Sequence, residues 1–127
     1  MNADARAKSV PLAVTSAPAT LAGDERLLTS ALINLVKNAV QAAPEGSRVE
    51  VTGRLESRRY VIEVADHGPG VAKENQAKIF EPFFTTREKG TGLGLPLARK
   101  LVEAHRGSLV VSSTPGDTTF RIELPLP

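Results

Sequence analysis

Between residues 24 and 44 the apolar positions Leu28, Ala31, Leu32, Leu35, Ala39 and Ala42 recur three or four residues apart. That period aligns them on one face of an α-helix, so the segment is predicted to be amphipathic and to bury that stripe. Asp24 offers an N-cap acceptor, and Pro44-Glu45-Gly46 offers a stop. Residues 94–105 repeat the pattern, with Leu97, Leu101 and Val102 expected inward and Arg106-Gly107 ending the helix. Elsewhere the period falls to two. Residues 49–52 and 60–65 read as strands around a polar hairpin at 55–59, and 108–112 and 119–124 as a second pair joined at Pro115-Gly116-Asp117. Residues 10–14 alternate weakly, 19–23 offer a further short extended piece, and a short helix is expected within 73–79. Hairpin-joined strands around these helices predict an α/β (α+β) two-layer sandwich: a mixed sheet with helices on one face.

Composition narrows the class. A chain of 127 residues suits one domain. Residues 1–8, small and polar, are expected to form a flexible N-terminus and 9–127 the folded domain. The absence of cysteine removes disulfide frameworks, cysteine zinc sites and thiol catalysis together, and fits a reducing cytoplasmic setting. No apolar run approaches the length of a membrane span, so no membrane contact is expected from this segment. Net charge is only +2 with Lys and Arg scattered, and aromatic residues make up 4%. Neither a basic nucleic-acid footprint nor a set of base-stacking platforms is present.

Four segments carry candidate chemistry. Asn34, Asn38 and Gln41 fall at i, i+4 and i+7 of the first helix, beside its apolar stripe. Asparagine is a mediocre helix residue, so the pair reads either as solvated side chains or as an oriented polar site whose amide oxygen can ligate Mg²⁺. Asp66-His67-Gly68-Pro69-Gly70 follows a strand directly. It is either an ordinary Asx turn or a backbone approach to a ligand, with the Asp66 carboxylate able to accept from an exocyclic amine such as adenine's. Gly90-Thr91-Gly92-Leu93-Gly94-Leu95 runs into the second helix. Its spacing is neither that of a Rossmann turn nor that of a Walker loop, yet glycines before a helix N-terminus expose N–H groups that attract phosphate; the bland reading is a linker. Phe80-Glu81-Pro82-Phe83-Phe84-Thr85-Thr86 concentrates three of the four phenylalanines next to that loop. This is either core or a lid whose rings dock in more than one state.

Taken in order, the asparagine helix, DHGPG, FEPFFTT and GTGLGL resemble the ATP-binding catalytic domain of sensor histidine kinases, in the Bergerat superfamily that also contains gyrase. The likeness runs over nearly the whole chain, and EPFFTTREKGTGLGLPLARKLVEAH is especially similar to nitrogen-regulator-type kinases. It implies the Bergerat fold, with about three helices on one sheet face, and the cofactors ATP and Mg²⁺. It implies that Asn38 ligates the metal with Asn34 in support and Gln41 beside them. Asp66 would hold the adenine amine, with Gly68 and Gly70 shaping its pocket. Phe80, Phe83, Thr85, Thr86, Arg87 and Lys89 would belong to a mobile lid. Gly90, Thr91, Gly92, Leu93, Gly94 and Leu95 would line the phosphates, and Thr118 would place a hydroxyl near the adenine contact.

The sequence departs from the family in places. Relatives often carry a basic residue where Gln41 stands, so phosphate neutralisation is left among Lys37, Arg87 and Lys89. His105-Arg106-Gly107 replaces a His-Gly-Gly run, and a second glycine near Asp117 is missing. The resemblance also implies an acceptor histidine followed by an acidic base, and neither His67 nor His105 fits that role. No catalytic residue is therefore expected in this chain. Nucleophile and base would lie on a dimerisation domain of a parent kinase that is either membrane-anchored or not, with a response regulator downstream and this domain a monomer. Rival readings are an anti-sigma-type serine kinase or another ATPase of the superfamily, and a nucleotide-sensing module that transfers nothing.

Overall fold

The computed structural model describes residues 12–16, 23–84 and 93–127. Its elements run β1 (Leu12–Ser16), α1 (Glu25–Ala42), β2 (Val49–Glu56), β3 (Arg59–Asp66), 3₁₀ turns at Lys73–Asn75 and Lys78–Phe80, α2 (Gly94–Ala104), β4 (Ser108–Thr114) and β5 (Asp117–Pro125). The sheet order is β1-β2-β3-β5-β4, with β1 parallel to β2 and every other pair antiparallel. This is the mixed sheet that the hairpin pattern predicts. β2 to β5 extend toward their hairpins beyond the expected bounds, because the turns tighten to Ser57-Arg58 and Pro115-Gly116, and β1 ends two residues past its expected end. Instead of one short helix within 73–79, two 3₁₀ turns form. The expected extended piece at 19–23 and the flexible N-terminus at 1–8 fall outside the described residues, apart from Gly23.

Asp24 caps α1, its Oδ1 accepting from the N–H groups of Arg26 at 2.9 Å and Leu27 at 3.3 Å. Ala31, Leu35, Val36, Ala39 and Val40 are buried against Val49, Val51, Val64, Phe120 and Ile122, forming one cluster between helices and sheet. In α2 the inward residues are Ala98 and Val102, with Leu101 half-buried, whereas Leu97 is 46% exposed. The inward stripe of α2 runs one residue away from Leu97, since close packing of α2 on α1 and β4 selects the small Ala98.

His105 caps the C-terminal end of α2. The helix dipole alone favours a cation there. Instead Nε2 accepts the Asp24 N–H at 3.0 Å and Nδ1 faces the Leu101 carbonyl at 2.8 Å. These two partners fit a neutral ring with its proton on Nδ1, and one imidazole ties the end of α2 to the start of α1.

Candidate functional site

Strand alternation carries Ile62, Val64 and Asp66 to the inner face of β3, so the last rung of an apolar stripe is a carboxylate. Asp66 is only 2% exposed. Burial of a carboxylate opposes folding, so its position marks a candidate functional group. Its Oδ1 accepts the Gly68 N–H at 2.8 Å. Directly opposite in the β3–β5 register stands Thr118, 4% exposed.

The loop after Asp66 is shaped by two glycines. A Cβ on Gly68 would lie 2.6 Å from the Ala42 carbonyl oxygen at the end of α1. Gly70 adopts φ +88°, and a Cβ there would lie 2.7 Å from the Thr114 carbonyl oxygen. The loop is thus pressed between α1 and the β4–β5 hairpin. Ser113 fastens it: its Oγ accepts the Val71 N–H at 2.7 Å and lies 2.7 Å from Thr118 Oγ1. Gln76 Nε2 adds bonds to the carbonyls of Val71 at 3.1 Å and Ser113 at 3.2 Å. On the outer side, His67 Nδ1 lies 3.1 Å from Asp117 Oδ1, with Glu50 at 3.6 Å from Nε2.

These elements enclose a cavity of about 500 Å³. Asn38, Gln41 and Ala42 line it from α1, Asp66 and Pro69–Ala72 from the end of β3 and its loop. Asn75, Ile79, Leu95, Thr118 and Phe120 complete the wall. A cavity of this size with apolar walls and a few convergent polar groups suits one small molecule. Of the residues singled out in the sequence, Asn38, Gln41, Asp66, Gly70, Leu95 and Thr118 converge here. Gly68 backs the cavity without lining it. Asn34 sits one turn before Asn38, its Oδ1 3.4 Å from the Cβ position of Gly94, so it faces the start of α2 rather than the cavity. Leu93 is the residue before α2 and is 45% exposed. Among the described residues the first turn of α2 has no side-chain cap and no acidic residue, so its positive dipole end favours an anion.

Phe80 packs edge-on against Phe120, ring centroids 6.3 Å apart, with the Arg99 guanidinium 4.7 Å from the Phe80 centroid. It is an anchor of the wall. Phe83 behaves differently: it is 73% exposed and holds φ +67°. Thr85, Thr86, Arg87, Lys89, Gly90, Thr91 and Gly92 lie outside the described residues. Sequence reading missed Ser113, Gln76 and Asn75, because a lone polar residue on a strand or short turn carries no periodic signal. Phe120 was findable, since it shares the inward parity of Thr118 two residues away.

Among the described residues no three His, Cys, Asp or Glu side chains converge to hold a metal. An ion here would rest on an amide oxygen and on its ligand's own oxygens, an arrangement that suits Mg²⁺ and that Asn38 fits.

Residues 23–127 match the family model of histidine kinase-, DNA gyrase B- and HSP90-like ATPases. Sporulation kinase C of Bacillus subtilis (strain 168) is 39% identical over 105 residues, which span 82% of this chain and 24% of that protein. The sensory histidine kinase/phosphatase NtrB of Rhodobacter capsulatus is 41% identical over 124 residues, 87% of this chain and 35% of its own length. The crystal structure of full-length ShkA in complex with AMPPNP superposes with a TM-score of 0.88 at 35% identity, covering 98% of this chain and 27% of that one. The chain thus spans about a quarter to a third of the length of these relatives. It belongs to the histidine kinase-, DNA gyrase B- and HSP90-like ATPase family, and the relatives it resembles over this region are histidine kinases.

Proposed function

We propose that this domain binds ATP with Mg²⁺ in the cavity beside Asp66 and presents the γ-phosphate to a histidine on a separate dimerisation domain. The observation that carries the reading is the convergence of Asn38 and Asp66 on one cavity. Asp66 can accept from the amine of adenine, while Phe120, Ile79 and Val71 offer apolar surface to the ring. Asn38 sits farther along α1, where its amide oxygen would ligate Mg²⁺. When bound, the ion neutralises the charge that develops between the phosphates. Leu93, Gly94 and Leu95, with the glycine stretch before them, would hold the phosphates at the start of α2. Phe80 and Phe83 begin the segment that the resemblance reads as a lid, and its further expected members Thr85, Thr86, Arg87 and Lys89 lie outside the described residues. The similar ShkA was crystallised in complex with AMPPNP, which supports a nucleotide as the occupant of the cavity here.

Both histidines of the chain are engaged elsewhere. His105 uses its two nitrogens between the helices, and His67 lies between two carboxylates. The acceptor histidine and its base therefore belong to another domain, and phosphate passes on to a response regulator. The isolated domain is a monomer. Among the described residues no helix is long and apolar enough to cross a membrane. ATP as donor places the domain in the cytoplasm.

Calorimetric titration with ADP and ATP tests the site. Asp66→Asn is expected to abolish most of the affinity while leaving the circular dichroism spectrum unchanged; unaltered affinity would sink the adenine assignment. For the reaction, the chain alone is expected to take up no acid-labile label from γ-labelled ATP. Label should appear on an added dimerisation fragment that carries a histidine followed by an acidic residue. Label on a serine of a partner would overturn the histidine reading.

A further inference from the structure

We propose that Ser113, which does not touch the cavity, is a positioning residue that fixes which base the site accepts, by setting the direction of the Thr118 hydroxyl. The proposal rests on the nucleotide reading given above. Ser113 and Thr118 face each other in the β4–β5 register, both on the inner side of the sheet. Ser113 Oγ has two hydrogen-bond partners among the described residues, each at 2.7 Å: the Val71 N–H and Thr118 Oγ1.

A hydroxyl has one proton to donate and lone pairs to accept with. The Val71 amide only donates, so it occupies a lone pair of Ser113. The Ser113 proton then has Thr118 Oγ1 as its acceptor. The opposite direction, with Thr118 donating to Ser113, would leave the Ser113 proton with no acceptor among the described residues, in a part-buried site where that is unfavourable. With Ser113 donating, Thr118 keeps its own proton to give, and the cavity that Thr118 lines is where a ligand can take it.

The consequence is a fixed polarity at the end of the cavity. Asp66 only accepts, and Thr118, opposite it in register, donates. Adenine presents the complement of this pair, an amine donor beside the ring N1 acceptor. Guanine presents the reverse, a carbonyl acceptor beside an N1–H donor. A single backbone amide, that of Val71, therefore sets the base preference through Ser113 and Thr118.

The test compares ADP with 1-deaza-ADP, in which a C–H replaces the N1 acceptor, on the whole chain by calorimetry. The wild-type protein is expected to bind ADP about tenfold more tightly than the deaza analogue, the order of one buried hydrogen bond. In Ser113→Ala that ratio is expected to fall to about twofold or less, and Ser113→Thr, which retains the hydroxyl, is expected to restore it. If Ser113→Ala fails to fold, Ser113→Cys, similar in size but a weak hydrogen bonder, is read by the same ratio. A variant that weakens both ligands equally and keeps the wild-type ratio overturns the proposal, because a purely structural role would act on both alike. A wild-type ratio near one overturns it too. A wild-type chain that binds no ADP at all overturns instead the nucleotide reading on which the proposal rests.

Discussion

Asn38 and Asp66 face one cavity but are held there by different physics. Asp66 is fixed by the backbone: strand parity turns it inward, and the Gly68 N–H holds one of its oxygens at 2.8 Å. Asn38 is fixed by helix phase, next to the stripe that buries Leu35 and Ala39. Its role predicts a split between metal-dependent and metal-free binding. Asn38→Ala is expected to lose about tenfold in ATP affinity with Mg²⁺ present, and little in ADP affinity measured with a chelator. Equal losses under both conditions would move the metal contact away from Asn38. Gly70 makes a stability prediction at the same scale. With φ at +88° and the Thr114 carbonyl 2.7 Å from any added Cβ, Gly70→Ala strains the loop and its contact with the hairpin together. A loss of roughly 1–3 kcal/mol is expected in urea unfolding, along with weaker ADP binding.

At the scale of elements, the end of α2 is closed by paired backbone bonds. The Gly107 N–H reaches the Val102 carbonyl and the Arg106 N–H the Glu103 carbonyl, both at 3.0 Å. This is the Schellman pattern, whose left-handed position normally holds glycine. Here Arg106 occupies it with φ +62°. Arg106→Gly is therefore expected to stabilise the domain by about 1 kcal/mol and raise Tm by roughly 3–4 °C; a lower Tm would show that the arginine side chain contributes more than its backbone strain removes. The same helix shows how far sequence reading reached. Its existence and ends followed from periodicity and from Arg106-Gly107. Its inward face did not, because the choice between Leu97 and Ala98 depends on how closely α1 approaches, a distance that no pattern within α2 encodes. The site divides the same way. Asn38, Asp66 and Thr118 sit in ordered motifs or match family boxes. Ser113 and Gln76 act through a hairpin and a loop that meet only in the folded chain.

The whole domain places its chemistry on one side of the sheet and a lattice of charge on the other. On the outer face Arg54 pairs with Glu56 at 3.0 Å and Glu63 at 2.7 Å, and Arg121 with Glu123 at 3.0 Å and Glu56 at 2.8 Å. The Arg121–Glu56 pair joins β5 to β2 across the strand between them. Val61, which alternation places on that outer face between Arg54 and Glu123, is only 1% exposed, as expected where long side chains such as these lay their apolar stems over a neighbour. The Glu56 carboxyl is held below its ordinary value of 4.5 by its hydrogen bond from Arg121, and next by that from Arg54. With its native value lowered, the unfolded chain binds more protons than the native one at pH values just below 4.5. The contribution of Glu56 is therefore complete above that value and is lost as acid protonates it in the native state. Glu56→Gln removes the charge at every pH. Its urea midpoint is expected to fall below that of the wild-type protein near neutrality, and the two midpoints to converge as the pH drops well below 4.5. High salt should narrow the neutral gap, because these side chains are partly exposed and screened. The lattice and the cavity occupy opposite faces, so ADP affinity at neutral pH is expected to be the same in both proteins. A gap in midpoint that persists unchanged into acid would mean that Glu56 stabilises the sheet by packing over Val61 rather than by its charge.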